Sequence, residues 1–223
     1  MCQRPVADSG MRCYQHEGRD AVAAAVEVAA AVRDRGRGAA RAGKARGGTG
    51  SAAPMVAMSD AQIAAVVECL NRHGVRYVVV GGAASQLHGA PVERTRDTDI
   101  VPAKNPANLD RLAVALREMD ARLWVGPGEP EGVEMTFDRR SLGQIEGFLN
   151  LITRHGPLDI TYRPDGTDGY PDLSRGVVVV PLLDVRVPVA ALRDVIRSKE
   201  AAGRAKDLAT LPALIEHLRR RPD

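Results

Sequence analysis

The sequence is poor in three features, and each shortage excludes a class of protein. Aromatic residues make up only 3% of the chain, which argues against a base-stacking platform of the kind that single-strand binders use. The three cysteines, Cys2, Cys13 and Cys69, form no CxxC pair, so neither a disulfide framework nor a zinc site is expected. The most membrane-like run, residues 21–32, is too short to span a bilayer and contains Glu27. These shortages favour a protein of the reducing cytoplasm that does not enter a membrane.

The composition that remains is typical of a soluble globular domain. Of 223 residues, 44% are hydrophobic and 26% are charged, which is enough for one domain with a real core. Lys and Arg number 31 against 28 Asp and Glu, and the pI is about 8.9. This mildly basic balance is compatible with an anionic partner but does not require one. The five histidines do not fall at metal-ligand spacings, so each is expected to be a surface or turn residue.

Residues 1–57 differ in composition from the rest of the chain. Their stretch RGRGAARAGKARGGTGSAAP has five basic residues and no acidic one. Such a segment cannot bury enough apolar surface to offset the entropy lost on ordering. It could act as a basic arm that attracts nucleic acid. We favour a disordered leader, or upstream sequence that is not translated in the cell, because Met55 and Met58 directly precede the first strong fold signal. The folded domain is therefore expected over residues 58–223.

Helix and strand signals begin at Ser59. Ser59 and Gln62 form a capping box, and apolar residues then recur at helical spacing up to Gly74, the expected C-cap glycine. Two short β-branched runs, Tyr77–Val80 and Thr98–Val101, predict buried strands.

The second half of the chain predicts a further helix, a hairpin, an edge strand and two final helices. These are expected as a helix from Asn105-Pro106, a hairpin over 147–162 joined at His155-Gly156, an edge strand over 176–181, and helices over 190–202 and 205–219. Pro212 should kink the last helix or force it to restart. The order α-β-α-β-α-β-β-β-α-α predicts an α/β fold with a helical C-terminal part over residues 189–223.

Gly81 and Gly82 follow the first strand, and three nucleotide-handling architectures begin with glycines in that position. A dinucleotide-binding fold is excluded because the second and third glycines of G-x-G-x-x-G are absent. A P-loop is excluded because no Gly-Lys pair lies nearby. The third architecture needs fewer glycines, since a tight turn brings backbone amides at a helix N-terminus against a triphosphate.

Three aspartates supply the acids that this third architecture requires. Asp97 and Asp99 lie two residues apart on a predicted strand, so both carboxylates point to one face. Asp159 lies on another predicted strand between apolar neighbours. Three carboxylates on one sheet face suit two Mg²⁺ ions, or Mn²⁺. One ion would hold the triphosphate, and both would polarise the α-phosphorus for in-line attack by a hydroxyl whose proton Asp159 could accept.

The stretches VVVGGAASQLHG, RTRDTDI, LDI and SKEAAGRAKDLATL resemble those of a known group of enzymes. The order of glycines and acids is similar to that of the minimal nucleotidyltransferases of the DNA polymerase β superfamily. More narrowly, it resembles the nucleotidyltransferase toxins of abortive-infection and mycobacterial toxin–antitoxin systems. The resemblance runs over residues 59–218. It implies the nucleotidyltransferase fold, a mixed sheet flanked by helices, and an NTP-dependent nucleotidyltransferase.

The resemblance also implies roles for residues at matching positions. The metal-binding and catalytic acids would be Asp97, Asp99 and Asp159. Lys199 would reach the nucleotide phosphates as a further catalytic residue. The remaining nucleotide contacts would come from the phosphate-loop glycines and the segment that closes over the nucleotide: Gly81, Gly82, Arg204, Lys206 and Asp207. Thr95 is added from its position before the acids; its hydroxyl could face the triphosphate, be a phosphorylation site, or tie down the loop.

The resemblance implies transfer of NMP from an NTP to a nucleic-acid end, with the tRNA 3′ acceptor end favoured. The enzyme would be a toxin that a cognate antitoxin protein restrains. Basic residues of the last helices could flank an RNA backbone: Arg193, Arg197, Arg204, Lys206 and 219–221. One rival is adenylylation of a small molecule such as an aminoglycoside, with an acidic pocket from Glu129, Glu131, Glu134 and Glu146. Another is a catalytically silent nucleotide- or RNA-binding member, against which the intact acids argue.

Overall fold

The computed structural model describes residues 56–221. The expected leader therefore lies outside the described residues, apart from its last two positions, and its disorder stays a prediction. Within residues 56–221, none of the helices combines the length and apolar content needed to cross a bilayer.

Seven strands form one mixed sheet in the order β3-β4-β5-β2-β1-β7-β6. The strands are β1 (Tyr77–Val80), β2 (Thr98–Pro102), β3 (Arg122–Leu123), β4 (Phe148–Thr153), β5 (Gly156–Thr161), β6 (Val178–Leu182) and β7 (Val185–Val189). In the centre, β2 is antiparallel to β1 and parallel to β5, while β1 is parallel to β7. The outer strands pair antiparallel with their neighbours. The predicted mixed α/β sheet is confirmed.

Helices flank this sheet and form the C-terminal part. They are α1 (Asp60–Arg72), α2 (Gly81–Leu87), α3 (Pro106–Glu118), α4 (Arg139–Gln144), α5 (Tyr170–Leu173), α6 (Leu192–Ala202) and α7 (Ala205–Arg220). The first helix packs against α3, β5 and β7. The short helix α2 packs against β1, β2 and α6, and α6 packs against α7. The C-terminal helices are thereby joined to the turn that follows β1.

The predicted caps of α1 and α3 are present. Gln62 donates its backbone N–H to the Ser59 hydroxyl and accepts from the Ser59 N–H, which is the reciprocal capping box. Gly74 follows α1 with a φ of +63°, the left-handed conformation that glycine adopts at little cost. Asn105 accepts from the Asn108 N–H at the start of α3.

Three features of the second half differ from the sequence prediction. The short strands β3 and β7 were not predicted, and β7 is the strand that joins the C-terminal hairpin to β1. Pro212 lies inside α7 without forcing a restart. The helix does not restart because Leu211 and Leu214 are buried on either side of the proline, so packing holds it together across one missing N–H; the kink at Pro212 stays a prediction.

The sheet is covered unequally on its two faces. Along β4, Leu149, Leu151 and Thr153 are buried, whereas the alternate residues are partly or fully exposed. Along β5, Leu158 and Ile160 are buried in the same alternation. Successive side chains of a strand point to opposite faces. One face of the β4–β5 hairpin therefore lies in the core, and the other is only partly covered.

Candidate active site

The structure brings the three predicted aspartates together. Asp99 on β2 and Asp159 on β5 are direct register partners in a parallel pair. Asp97 precedes Asp99 by two residues and stands just before β2 begins. Carboxylate oxygens of all three lie within 4.8 Å of one another. We call the side of the sheet that carries Asp99 and Asp159 the acid face.

The turn after β1 is shaped around Asp99. Gly81 has a φ of +62°, and a Cβ atom there would overlap Oδ2 of Asp99. Gly82 donates its backbone N–H to the Asp99 carboxylate. A Cβ on Gly82 would lie 2.8 Å from the Thr95 hydroxyl oxygen. Both glycines are thus required by close approach, which is a physical reason for the Gly-Gly pair independent of any ligand.

Thr95 ties down the loop before the acids. Its hydroxyl oxygen lies 2.8 Å from Oδ1 of Asp97 and 3.0 Å from the Asp97 carbonyl oxygen. Its backbone N–H donates to the Gln86 side chain at 3.3 Å. The residue is buried, so among the three roles open to Thr95 these contacts support the structural one.

The acids crowd one another in a poorly solvated place. Loss of solvent around Asp99 raises its pKa to about 8, and the charges of Asp97 and Asp159 add to the shift, while Lys206 and the Gly82 amide oppose it. Loss of solvent likewise raises the pKa of Asp159 to about 6. The negative charge in the cluster therefore exceeds what the surrounding cations balance. Three carboxylates that carry excess negative charge offer the oxygen ligands that a hard divalent cation prefers.

The two predicted lysines have different surroundings. The Lys199 ammonium lies 3.0 Å from Oδ1 of Asp207, and Arg204 donates to the other carboxylate oxygen. Burial alone would raise the pKa of Asp207, but the hydrogen bonds from Arg204 and Lys199 outweigh it and lower the pKa. Lys206 is the lysine whose charge lowers the pKa of both Asp99 and Asp159. The charge of Lys206 therefore acts on the acids, whereas Lys199 is bound to Asp207.

Asn150 is a site residue that the sequence did not indicate. It is the register partner of Asp159 on β4, and its side chain hydrogen-bonds Asp159, which lowers the pKa of that carboxyl. The β4 pattern alone places Asn150 on an exposed face. Only the hairpin register places it beside an acid.

A second group of potential metal ligands forms at the end of α1. Cys69, His73 and Glu118 offer ligand atoms within 4.8 Å of one another, although the sequence suggested no such cluster. His73 Nε2 lies 2.6 Å from Glu118, and Arg72 also bonds to Glu118. The carboxylate is thus held in a surface ion-pair network between α1 and α3.

The charged surfaces that the sequence suggested are largely paired or dispersed. Arg197 bonds to Asp172 and Asp194, and Arg219 and Arg220 both pair with Glu216. The acidic residues Glu129, Glu131, Glu134 and Glu146 are all exposed. The predicted RNA flank is therefore less basic than its sequence suggests.

No protein-family model matches the chain, and no curated protein matches its sequence. Among solved structures, the chain is similar to the lincosamide antibiotic adenylyltransferase LnuA in its lincomycin-bound form, with 12% identity, a TM-score of 0.51, and coverage of 73% of this chain and 99% of that one. The chain is less similar to a putative nucleotidyltransferase from Thermotoga maritima, with 20% identity, a TM-score of 0.43, and coverage of 69% of this chain and 90% of that one. It is also less similar to the antibiotic-resistance factor ANT(2″)-Ia, with 10% identity, a TM-score of 0.47, and coverage of 71% of this chain and 83% of that one. The first likeness shows that the chain has the nucleotidyltransferase fold.

Proposed function

We propose that the chain is a metal-dependent nucleotidyltransferase that moves NMP from an NTP to an acceptor hydroxyl. The observation that carries this proposal is the convergence of Asp97, Asp99 and Asp159 within 4.8 Å, beside a glycine turn and within this fold. Structural ion-pair networks also contain aspartates, but the charge of one lysine, Lys206, does not balance that of three carboxylates.

The chemistry of the donor set fits two Mg²⁺ ions, or Mn²⁺. Asp97, Asp99 and Asp159 would hold them, because their oxygens are close and their mutual repulsion is relieved by a cation. Divalent metal in this position supplies charge that polarises the phosphate and stabilises the negative charge of the transition state.

The surrounding residues would bind and orient the nucleotide. The charge of Lys206 acts on Asp99 and Asp159, so we assign Lys206 the contact with the triphosphate. Asp207 fixes Lys199 and Arg204 at the junction of α6 and α7, so these two would position the segment that carries Lys206. Direct contact of Lys199 with the phosphates, as the resemblance implies, remains the alternative. Backbone amides after Gly81 would complete the phosphate cradle.

In the reaction, the acceptor hydroxyl oxygen forms a bond to the α-phosphorus. The bond from that phosphorus to the oxygen bridging the β-phosphate breaks, and pyrophosphate leaves on the opposite side. The proton of the hydroxyl passes to Asp159, whose pKa of about 6 leaves it largely ionised, and so able to accept a proton, at neutral pH.

The acceptor we favour is an RNA end, most specifically the tRNA 3′ end, in a cytoplasmic toxin that a cognate antitoxin protein restrains. The support is the likeness of the glycine, acid and C-terminal stretches to those of such toxins. Addition of a nucleotide at that end would block aminoacylation.

Adenylylation of a small cationic molecule is the second candidate. It is favoured by the exposed acidic residues Glu129, Glu131 and Glu134 in the segment after β3. The fold likeness to a lincosamide adenylyltransferase is compatible with it.

The deciding experiment incubates the full chain with each labelled NTP and Mg²⁺, with either total RNA or a panel of aminoglycosides and lincosamides as acceptors. We expect label in RNA of tRNA size, and affinity for that RNA that falls steeply with salt. Asp99→Asn should remove the label, whereas Asp184→Asn, in the exposed β6–β7 turn, should not. Label only on a small molecule would establish the second candidate. Transfer that persists in a folded Asp99→Asn protein would contradict the metal-dependent mechanism.

A further inference from the structure

A row of paired residues runs across the sheet from the acids to its edge. Asp99 pairs with Asp159, and Asp159 pairs with Asn150. The next neighbour is Trp124, one residue beyond β3, whose N–H donates to the Asn150 carbonyl at 2.9 Å. The β3–β4 register pairs Leu123 with Leu151, which places Trp124 opposite Asn150. Directly paired residues share a face, so Trp124 lies on the acid face.

Phe148 joins this row from the same strand as Asn150. It precedes Asn150 by two residues on β4, so the strand alternation places it on the acid face as well. Its register partner is Thr161, two residues beyond Asp159 on β5. The residues between them in sequence, such as Leu149, are buried on the opposite face.

The exposure of these two rings is unusual for this chain. The sequence has one Trp and two Phe; Trp124 is 36% exposed and Phe148 is 51% exposed, while Phe137 is 2% exposed. Large aromatic side chains are normally buried because burial removes a large apolar surface from water. The only Trp and the only exposed Phe thus lie on the acid face, two strands and one strand away from Asp159 respectively. The low aromatic content excludes an extended stacking platform but leaves two rings, enough for one or two bases.

We propose that Trp124 and Phe148 form the acceptor subsite, where they stack on the nucleobase next to the attacking hydroxyl. This assignment rests on the proposed nucleotidyl transfer. In-line displacement places the attacking oxygen and the leaving pyrophosphate on opposite sides of the α-phosphorus. Gly81 and Gly82 follow β1, on one side of β2, whereas the aromatic rings lie beyond β5, on the other side. The pyrophosphate therefore leaves toward the glycine turn, and the acceptor enters over β4 and β3.

Stacking on Trp124 can be measured directly because the full chain contains one Trp. The fluorescence of the full chain is titrated with the trinucleotide CCA, with the same trinucleotide lacking its 3′ base, and with ATP and Mg²⁺. We expect saturable quenching by CCA and clearly weaker quenching by the abasic analogue. Quenching by ATP alone that equals that of CCA would assign the rings to the incoming nucleotide and overturn the proposal. Quenching by an aminoglycoside but not by CCA would overturn it in favour of a saccharide acceptor.

Kinetics separate the subsite from the transfer reaction itself. Trp124→Ala and Phe148→Ala should each raise the acceptor KM about 5- to 150-fold and leave the KM for NTP unchanged, while Trp124→Phe should keep most of the affinity. The matched control is Leu183→Ala, an exposed apolar residue at the opposite edge of the sheet. Melting temperatures check that each variant folds.

The two proposals fail in different ways. If the unchanged chain transfers no nucleotide to any RNA, the proposed function is wrong, and CCA quenching still tests the subsite. If it transfers nucleotide and Trp124→Ala keeps the acceptor KM, the subsite is wrong and the proposed function stands.

Discussion

Among the single residues of the site, Asp99 is the one whose charge the fold opposes most. Its carboxylate lies against the Gly81 turn and beside two other acids, and loss of solvent raises its pKa to about 8. A buried acid that is kept near other acids destabilises the folded state whenever it ionises. The same arrangement suits the cation that we propose for this site, so stability and metal binding should be linked at this residue.

The stability of the metal-free chain should depend on pH in a defined direction. The folded state keeps protons on Asp99 and Asp159 up to about pH 8 and about pH 6, whereas the unfolded chain loses them near the ordinary value of 3.8. The folded state therefore binds more protons across this window, and the free energy of unfolding should fall as pH rises through it. Denaturant titrations at several pH values, with EDTA or with Mg²⁺, measure the effect.

Two controls sharpen this test. Mg²⁺ should restore stability most at the upper end of the pH window, because metal binds the ionised carboxylates. Asp99→Asn should flatten most of the pH dependence and weaken the response to Mg²⁺. An unfolding free energy that rises with pH between about 4 and 8 in EDTA would contradict the assignment of the proton uptake to these acids.

Lys199 and Lys206 should respond differently to replacement. The charge of Lys206 acts on the acids and its side chain is exposed, so Lys206→Ala should raise the KM for NTP and slow transfer with little change in stability. Lys199 is paired with the buried Asp207, so Lys199→Ala should lower the free energy of unfolding by about 2 kcal/mol. NTP and acceptor titrations of both variants, with denaturation curves, make the comparison. A large rise in NTP KM for a fully stable Lys199→Ala protein would return the phosphate contact to Lys199.

At the scale of elements, local signals predicted most of the fold. The capping box at Ser59 and the Asn105-Pro106 start gave helices that the structure confirms. The strands β3 and β7 were missed, because two residues carry no periodicity and Pro188 interrupts the β-branched pattern of β7.

The same distinction between local and long-range signals governs the site. Asp97, Asp99 and Asp159 could be placed together because local patterns predict the two strands that carry them. The approach of Trp124 to Asn150 depends on the register of the two-residue strand β3, and the Lys199–Asp207 pair depends on how α6 packs on α7. No local pattern encodes either contact.

The turn from β1 into α2 is the element on which the site depends most directly. Gly81→Ala meets both a left-handed backbone and the Asp99 carboxylate. Gly89→Ala meets only the backbone cost, since Gly89 has a φ of +74° with no atom within 4 Å of the added Cβ. Gly89→Ala should lose about 1 kcal/mol of stability and Gly81→Ala more, because Asp99 must also move; only Gly81→Ala should lose transfer, by about a hundredfold. Equal transfer rates for the two variants would show that Gly81 serves the turn alone.

At the scale of the whole molecule, we assign NTP binding to the helical C-terminal part and acceptor binding to the β3–β4–β5 half of the sheet. Helix α6 packs on α2 and on α7, and α7 carries Lys206, whose charge acts on Asp99 and Asp159. The β3–β4–β5 half leaves its acid face partly uncovered, and we propose that the acceptor approaches the acids over this face. A transferase needs both a cradle for one substrate and access for the other, and this division of the sheet provides both.

The N-terminal segment should be dispensable for stability and for nucleotidyl transfer. Met58 is 1% exposed, and its N–H donates to the Thr95 carbonyl at 2.8 Å, so the core includes Met58. Val56 and Ala57, which precede it, are largely outside the core, since Val56 is 84% exposed. A chain that begins at Met55 keeps the Met58 N–H within a peptide bond, and we expect it to retain the melting temperature and the transfer rate of the full chain.

The matched comparison for this truncation is Met58→Ala in the full chain. Because the Met58 side chain is buried, its loss should lower the free energy of unfolding by about 2–5 kcal/mol. Denaturation curves and transfer rates of the two proteins, beside those of the unchanged full chain, make the test. Loss of transfer in a stable chain that begins at Met55 would show that the preceding residues take part in binding the acceptor.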